Sequence, residues 1–454
     1  MKKIDQTLLS TTFIFIFLLS FGLIITLAAF FLASPQILIS GMRQIIYSPS
    51  NLITDYVQIA GVGPAFLNSG LLTLSSLFIL RKHRHHFCSL TVSVIMMLAG
   101  FSFFGKNIVN SAPIVLGCLI YLKIHHSKRQ DLLVMGLLST CLSPIVSTIY
   151  CAPNHFFVSA KLIALIVGLL IGYVSLPIFE FFKAHTKELN LYNMGFSAGM
   201  IGIIGNLTTK NILAIEMVPH SLAFEHHPSL LYFLIALFTI PILANLCFYL
   251  LSSTYSKHLL DLKKILCFSL HGFLGVFVPL ILNVPLSGIL VGAILTFAGF
   301  SMYNFKLRYF LFPVLGVLLV AQFIYRDTAS TNNIVIILFA STLSPMTRKH
   351  GLLAGTLAGF LFSLITRNSQ YLAAGINLYH CGFAGGVTVL LLDFIRRLFY
   401  RNLRIKFYCQ KFYLQTIHFE KQLLFKFQRL PQTFLFKLNK NKEKQSISER
   451  NRSN

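Results

Sequence analysis

Charge is scarce in this chain, and acidic charge scarcest: only 11% of its 454 residues are charged, and 13 are Asp or Glu. With 55% hydrophobic residues and a mean hydropathy of +0.73, there is too little polar surface to cover a soluble fold of this size. The composition therefore excludes a soluble domain and points to an integral membrane protein. Acidic residues are also missing from the middle of the apolar runs: Asp131, Glu180 and Asp393 all sit near segment ends. A buried carboxylate relay for protons is thus not visible. Eight cysteines occur without a Cys-x-x-Cys pair. Most, such as Cys88, Cys118, Cys247 and Cys267, lie in or beside apolar runs and read as small packing residues. A disulfide between Cys141 and Cys151 is the lesser alternative. P-loops, dinucleotide fingerprints, nucleophile elbows and zincin helices are also absent.

What is present is a succession of apolar runs, each of roughly 16 to 25 residues, long enough to cross about 30 Å of hydrocarbon as helices. β-barrel alternation is missing, so the expected fold is all-α, a polytopic transmembrane bundle. Fourteen spans are predicted, near 8–32, 62–80, 87–105, 109–124, 131–150, 162–182, 190–206, 229–251, 265–282, 284–303, 309–324, 333–347, 351–366 and 373–395. The first resembles a signal peptide, but its apolar stretch is too long and no small-residue cleavage site follows, so it reads as a retained helix. With both termini cytoplasmic, 32 Lys and Arg fall on the inner side and six on the outer, namely Arg43, Lys106, Lys161, Lys210, Arg326 and Arg367. That asymmetry is the one basic residues impose on a bacterial inner-membrane protein.

The chain also repeats itself. Asn190-Leu191-Tyr192-Asn193-Met194-Gly195-Phe196-Ser197-Ala198-Gly199 returns as Asn377-Leu378-Tyr379-His380-Cys381-Gly382-Phe383-Ala384-Gly385-Gly386, identical at six of ten positions. Ala99-Gly100-Phe101-Ser102 returns as Ala298-Gly299-Phe300-Ser301, and Pro113 and Gly117 as Pro313 and Gly316. Ser139-Thr140-Cys141-Leu142-Ser143-Pro144 is matched by Ser341-Thr342-Leu343-Ser344-Pro345, and Gly168 and Gly172 by Gly355 and Gly359. Equivalent spans are seven apart, an odd number, so they cross in opposite senses. This predicts a seven-plus-seven inverted-topology repeat: residues 1–206, an outer connecting loop 207–228, an inverted copy 229–395, and a basic cytoplasmic tail 396–454.

Site candidates follow from the repeats. Gly195, Gly199, Gly382 and Gly386 permit close backbone approach or a helix break, and Tyr192, Asn193, Tyr379 and His380 lie beside them. Asn193 and His380 are equivalent positions, and symmetry would place them at similar depth around a shared, partly hydrated cavity. The alternative is that the glycines only pack helices and the tyrosines anchor at the interface. Gly100, Ser102, Gly299 and Ser301 form a second set, in which the glycines could mark interrupted helices whose freed backbone groups bind a ligand. Lys106 and Lys306 follow these motifs and would favour an anionic substrate, unless they snorkel to the interface. His271, Asn68, Asn245 and Gln322 complete the intramembrane polar set.

The formal charge of +25 is mostly interfacial. From Ile395 onward, 15 basic residues and three acidic ones interleave with Phe, Tyr and Leu, as in Arg404-Ile405-Lys406-Phe407-Tyr408. That pattern predicts a segment lying on anionic lipid of the inner leaflet, with a disordered end beyond Lys437. Nucleic acid is not an expected partner. His83, His85 and His86 reinforce orientation, as do His125 and His126. His220, Glu225, His226 and His227 in the outer loop fit no recognised zinc spacing. No metal or cofactor is expected.

Ile53-Thr54-Asp55-Tyr56, residues 101–107 with Pro113, and the doubled Leu-Tyr-x-x-Gly-Phe motif together resemble DUF1576, an uncharacterised family of bacterial polytopic membrane proteins. The resemblance covers roughly residues 8–395 and implies no substrate. By helix count the chain also looks like the nucleobase/anion transporter fold, which would imply a substrate site at broken third and tenth spans. The acidic residues that nucleobase carriers have in the eighth or tenth span are missing here, which argues against proton-coupled nucleobase transport. The expected function is a transporter or channel for a small solute or ion, with its path between the two repeats and possible homo-oligomers. The alternative is an integral-membrane enzyme or envelope-assembly protein.

Overall fold

The computed structural model describes residues 2–50, 54–126, 130–152, 159–186, 190–211, 227–251, 255–304 and 307–401. Among these the structure is entirely helical, without a strand. The first half contains α1 (Lys2–Leu32), α2 (Pro35–Tyr47), α3 (Tyr56–Ala60), α4 (Val62–Lys82), α5 (Ser89–Phe101), α6 (Ile108–Ile124), α7 (Gln130–Leu138), α8 (Ser143–Tyr150), α9 (Ala160–Thr186) and α10 (Asn190–Asn211). The second contains α11 (Pro228–Leu251), α12 (Tyr255–Ile281), α13 (Gly288–Asn304), α14 (Leu307–Val320), α15 (Thr331–Phe339), α16 (Ser344–His350), α17 (Leu352–Leu372) and α18 (His380–Arg401).

Six of these segments are long and apolar enough to cross a membrane by length and composition: 11–32, 62–82, 131–150, 160–184, 228–247 and 262–281. Four shorter apolar helices accompany them, at 89–101, 108–124, 288–302 and 309–325. A membrane protein is the class these helices fit. Their outward faces are apolar as well, with Phe31, Tyr232, Ile281 and Phe323 left largely uncovered by protein. Such faces suit a lipid solvent and would be liabilities in water.

Local sequence signals explain many of the helix ends. Ser34 caps α2 ahead of Pro35, which suits a first helical position because its missing N–H would be unpaired there anyway. Asn107 caps α6 by accepting from Asn110 N at 3.0 Å, while Asn110 Oδ1 accepts from Asn107 N at 2.8 Å. Ser330 caps α15. At the bundle centre α5 and α13 run together and are buried almost all round, as helices without a polar face must be. Around them the two halves pack alike: α1 on α4 and α11 on α12, α6 on α9 and α14 on α17.

The paired glycines explain the last two contacts. A Cβ on Gly117 would lie 2.1 Å from the Leu169 carbonyl oxygen, and one on Gly172 would lie 1.9 Å from that of Ile114. In the second half, Gly316 meets Thr356 O at 2.0 Å and Gly359 meets Pro313 O at 1.9 Å by the same measure. Both helix pairs therefore approach backbone to backbone, which side chains would forbid.

Several boundaries differ from the sequence reading. α10 runs on to Asn211, taking in residues 207–211 of the expected connecting loop. α18 starts at His380 rather than near 373, because Ala374 (φ 45°) and Gly375 (φ 74°) turn the chain after α17. It then continues past 395 to Arg401. The helix α2 falls in a stretch read as loop, since its 13 residues are too few to register as a span. Residues 212–226, Lys306 and residues 402–454 lie outside the described set, and with them His220, Glu225, His226 and nearly all of the tail expected to lie on lipid.

Candidate functional site

The two decapeptides meet face to face where α10 crosses α18. A Cβ placed on Gly195 would sit 2.4 Å from the Gly382 carbonyl carbon and 2.6 Å from its oxygen, so backbone touches backbone. The flanking contacts are reciprocal. Gly199 abuts the Phe383 ring, its equivalent Gly386 abuts Phe196, and the two rings stack at 5.6 Å. The crossing is antiparallel, since Tyr192 lies against Gly385 at one end while Asn206 Nδ2 donates to Leu372 O at the other.

A second crossing, between α5 and α13, repeats this logic. Gly100 abuts the backbone of Gly292, and Gly299 abuts Met96 and Ser93, whose Oγ donates to Gly299 O at 3.0 Å. The Ala-Gly-Phe-Ser motifs therefore pack helices. Ser102 Oγ donates to Leu98 O and Ser301 Oγ to Ala298 O, so both hydroxyls are spent within their own helices. The interruption expected at Gly299 is not found: α13 is continuous through it, because glycine inside an apolar, fully packed helix need not break it. α5 does end just past Gly100, in the turn 102–105.

The interrupted helices are elsewhere, at the Ser-Pro motifs. Residues Ser139–Leu142 form a 3₁₀ turn between α7 and α8, and Ala340–Leu343 form one between α15 and α16. The cause is local chemistry. Ser143 Oγ donates to Thr140 O and Ser344 Oγ to Ser341 O, while Pro144 and Pro345 cannot supply the next backbone donor. Each interruption touches the tyrosine motif of the opposite half. Tyr192 donates its hydroxyl to Thr342 O, and Leu378 N donates to Cys141 O at 3.0 Å.

Beside Cys141 lies a polar cluster formed by the turn after α5. Gly105 (φ 69°) supplies the left-handed backbone that lets this turn close. Asn68 of α4 donates to Ser102 O at 2.7 Å and to Lys106 O at 2.8 Å, while its own Oδ1 finds no acceptor role. Asn110 donates to Ser147 Oγ at 2.6 Å, and Ser111 and Ser143 share a hydrogen bond at 3.0 Å. Lys106 is 2% exposed, and its ammonium lies close enough to Cys141 for the two to interact electrostatically. It does not snorkel.

Other candidates fall as follows. Asn193 and His380 are each 4% exposed, within one turn of the Gly195–Gly382 contact, and neither faces lipid. His380 Nε2 lies 3.5 Å from Cys381 Sγ, and its Nδ1 has no hydrogen-bond partner among the described residues. His271 stands apart from the crossing, with Nδ1 on Cys267 O and its ring on Phe297. Asn245 ties α11 to Leu262 O. Gln322 lies exposed in the wide turn after α14. All seven described cysteines, Cys141 and Cys151 among them, are free. His85 is buried against Thr91 Oγ1 at 2.8 Å, so it serves as a packed hydrogen-bonding group and not as an orientation charge.

Two ionic features escaped the sequence reading. Asp55 is 1% exposed, accepting from Val57 N at 2.8 Å and from Gly288 N at 2.9 Å, and so joins the loop before α3 to the start of α13. Arg367, read as an outer-loop residue, is 8% exposed and bonds Asp327 and Asn333. Neither lies inside an apolar run, so hydropathy alone does not mark them as intramembrane charges.

A family model described as "Protein of unknown function (DUF1576)" matches residues 34–209 and 262–397. The chain belongs to the DUF1576 family. The two matched stretches of DUF1576 contain both decapeptides, both Ser-Pro motifs and the turn at Lys106. No curated protein and no solved structure matches the chain.

Proposed function

We propose that this protein is a transporter or channel for a small solute in the bacterial inner membrane, with both termini cytoplasmic. Its solute path runs between two seven-span halves related by inverted topology. The observation that carries this reading is the pair of interrupted helices, each meeting the tyrosine motif of the other half. At each interruption a carbonyl leaves the α-helical ladder and is taken up by the tyrosine motif of the other half, and such irregular backbone is tolerated at membrane depth only where protein or a water-filled path surrounds it. The reciprocal contacts about Gly195 and Gly382 support the symmetry, because a two-fold relation makes residue i touch j′ whenever j touches i′.

Two measurements test it. Reporter fusions in the α4–α5 loop (83–88) and the α12–α13 loop (282–287) should report opposite sides of the membrane; the same side for both would end the inverted-repeat reading. Proteoliposomes holding the full chain should take up at least one member of a panel of labelled small solutes, neutral and charged. Uptake no better than protein-free vesicles across the whole panel would end the transport reading.

A further inference from the structure

We propose that the Lys106 ammonium is an anion-binding group and that the solute carries an oxyanion, a carboxylate or a phosphate. This rests on the transport reading and names its substrate class. Lys106 sits in the turn between α5 and α6, 2% exposed, and makes no salt bridge, hydrogen bond or ring contact with its ammonium among the described residues. A buried charge is normally retained only where it is paired, because removing it from water costs several kcal/mol. The nearest buried carboxylate does not serve as its partner: Asp55 directs its oxygens to the N–H groups of Val57 and Gly288.

The surroundings add positive potential and no negative charge. α6 begins two residues after Lys106, so the Lys106 backbone lies at the positive end of a 17-residue helix. Cys141, in the 3₁₀ interruption, is close enough to interact with the ammonium electrostatically, and the Cys141 carbonyl accepts from Leu378 N of the opposite tyrosine motif at 3.0 Å. The ammonium therefore sits where the interrupted helix of one half meets the tyrosine motif of the other. Asn68, whose Nδ2 donates to the Lys106 carbonyl, has its Oδ1 buried and without a hydrogen-bond partner among the described residues, an acceptor for a hydroxyl or protonated group.

Purified full-length protein in detergent, titrated at constant ionic strength with inorganic phosphate and separately with succinate against chloride, gives the test. At least one of the two should raise Tm saturably, an effect lost in Lys106→Met and kept in Lys106→Arg. Because Lys106→Met replaces an unpaired buried amine with an apolar side chain of similar length, its Tm without anion should equal or exceed wild type, so a folding defect will not mimic the loss. No stabilisation of wild type by either anion, or an unchanged shift in Lys106→Met, overturns the proposal. Stabilisation by phosphatidylglycerol in the micelle with none by either soluble anion also overturns it, in favour of a lipid headgroup. The proteoliposome panel separates this claim from its parent: uptake of neutral solutes alone refutes the anion and spares transport. Anion binding without any uptake does the reverse.

Discussion

Replacing Gly195 with alanine adds one methyl group where α10 and α18 touch, and the geometry sets the consequence. The new Cβ would lie 2.4 Å from the Gly382 carbonyl carbon, whereas ordinary contacts begin at 3.4 Å. The obstacle is backbone, so no rotamer change relieves it, and the helices must part by about 1 Å in a densely packed interior. That movement also loosens the Gly199–Phe383 and Gly386–Phe196 contacts, giving an expected destabilisation of about 1–3 kcal/mol. Gly136 is the milder comparison, since a Cβ there would lie 3.1 Å from the Cys118 side chain, a shortfall of a few tenths of an ångström against a side chain where Gly195 meets backbone. The chain has no tryptophan, but Cys118, Cys141 and Cys381 are buried, so a thiol-reactive dye can follow unfolding in detergent. Gly195→Ala should unfold at distinctly lower temperature than wild type, and Gly136→Ala close to it. Equal tolerance of the two substitutions would refute the packing argument.

Burial, reinforced by the neighbouring His86, holds His85 down to about 4, against its ordinary 6.5. Between those values the unfolded chain binds a proton that the folded chain refuses, so stability is complete above pH 6.5 and is lost as pH falls towards 4, by up to about 3 kcal/mol. Melting curves from pH 4 to 7 should show a shallower pH slope in His85→Asn; parallel slopes would remove His85 from the acid response. Asp55→Ala strands two buried N–H donors, at about 1–3 kcal/mol each, and should lower Tm more than Asp55→Asn, which keeps one acceptor. Similar losses in both variants would show that those two hydrogen bonds do not set the cost. Tyr192→Phe removes the donor to Thr342 O and should cost about 1 kcal/mol, measured as a Tm loss that Tyr232→Phe, on an exposed position, does not share.

Hydropathy and repetition, read from the sequence alone, determined the all-helical class, the duplicated motifs and the glycines that recur in both halves, and the motif resemblance pointed to the family; that these glycines bring α6 to α9 and α14 to α17 is seen only in the structure. These are legible because membrane helices obey a local rule: every backbone polar group must be satisfied within the segment, so apolar length and small-residue spacing are written directly into the chain. Tertiary structure alone decided where the breaks fall. Gly299 could interrupt a helix or pack one, and only Met96 and Ser93 of α5 lying against it select packing. Conversely, Ser139-Thr140 and Ser341-Thr342 break their helices because hydroxyls turn back on carbonyls ahead of a proline, and each broken turn meets a tyrosine motif of the other half, at least 150 residues away in sequence. Lys106 was ambiguous for the same reason. A lysine at a helix end reaches for the interface when its path is open, and this one is held inside by Asn68, Asn107 and the turn at Gly105, contacts that no local pattern encodes.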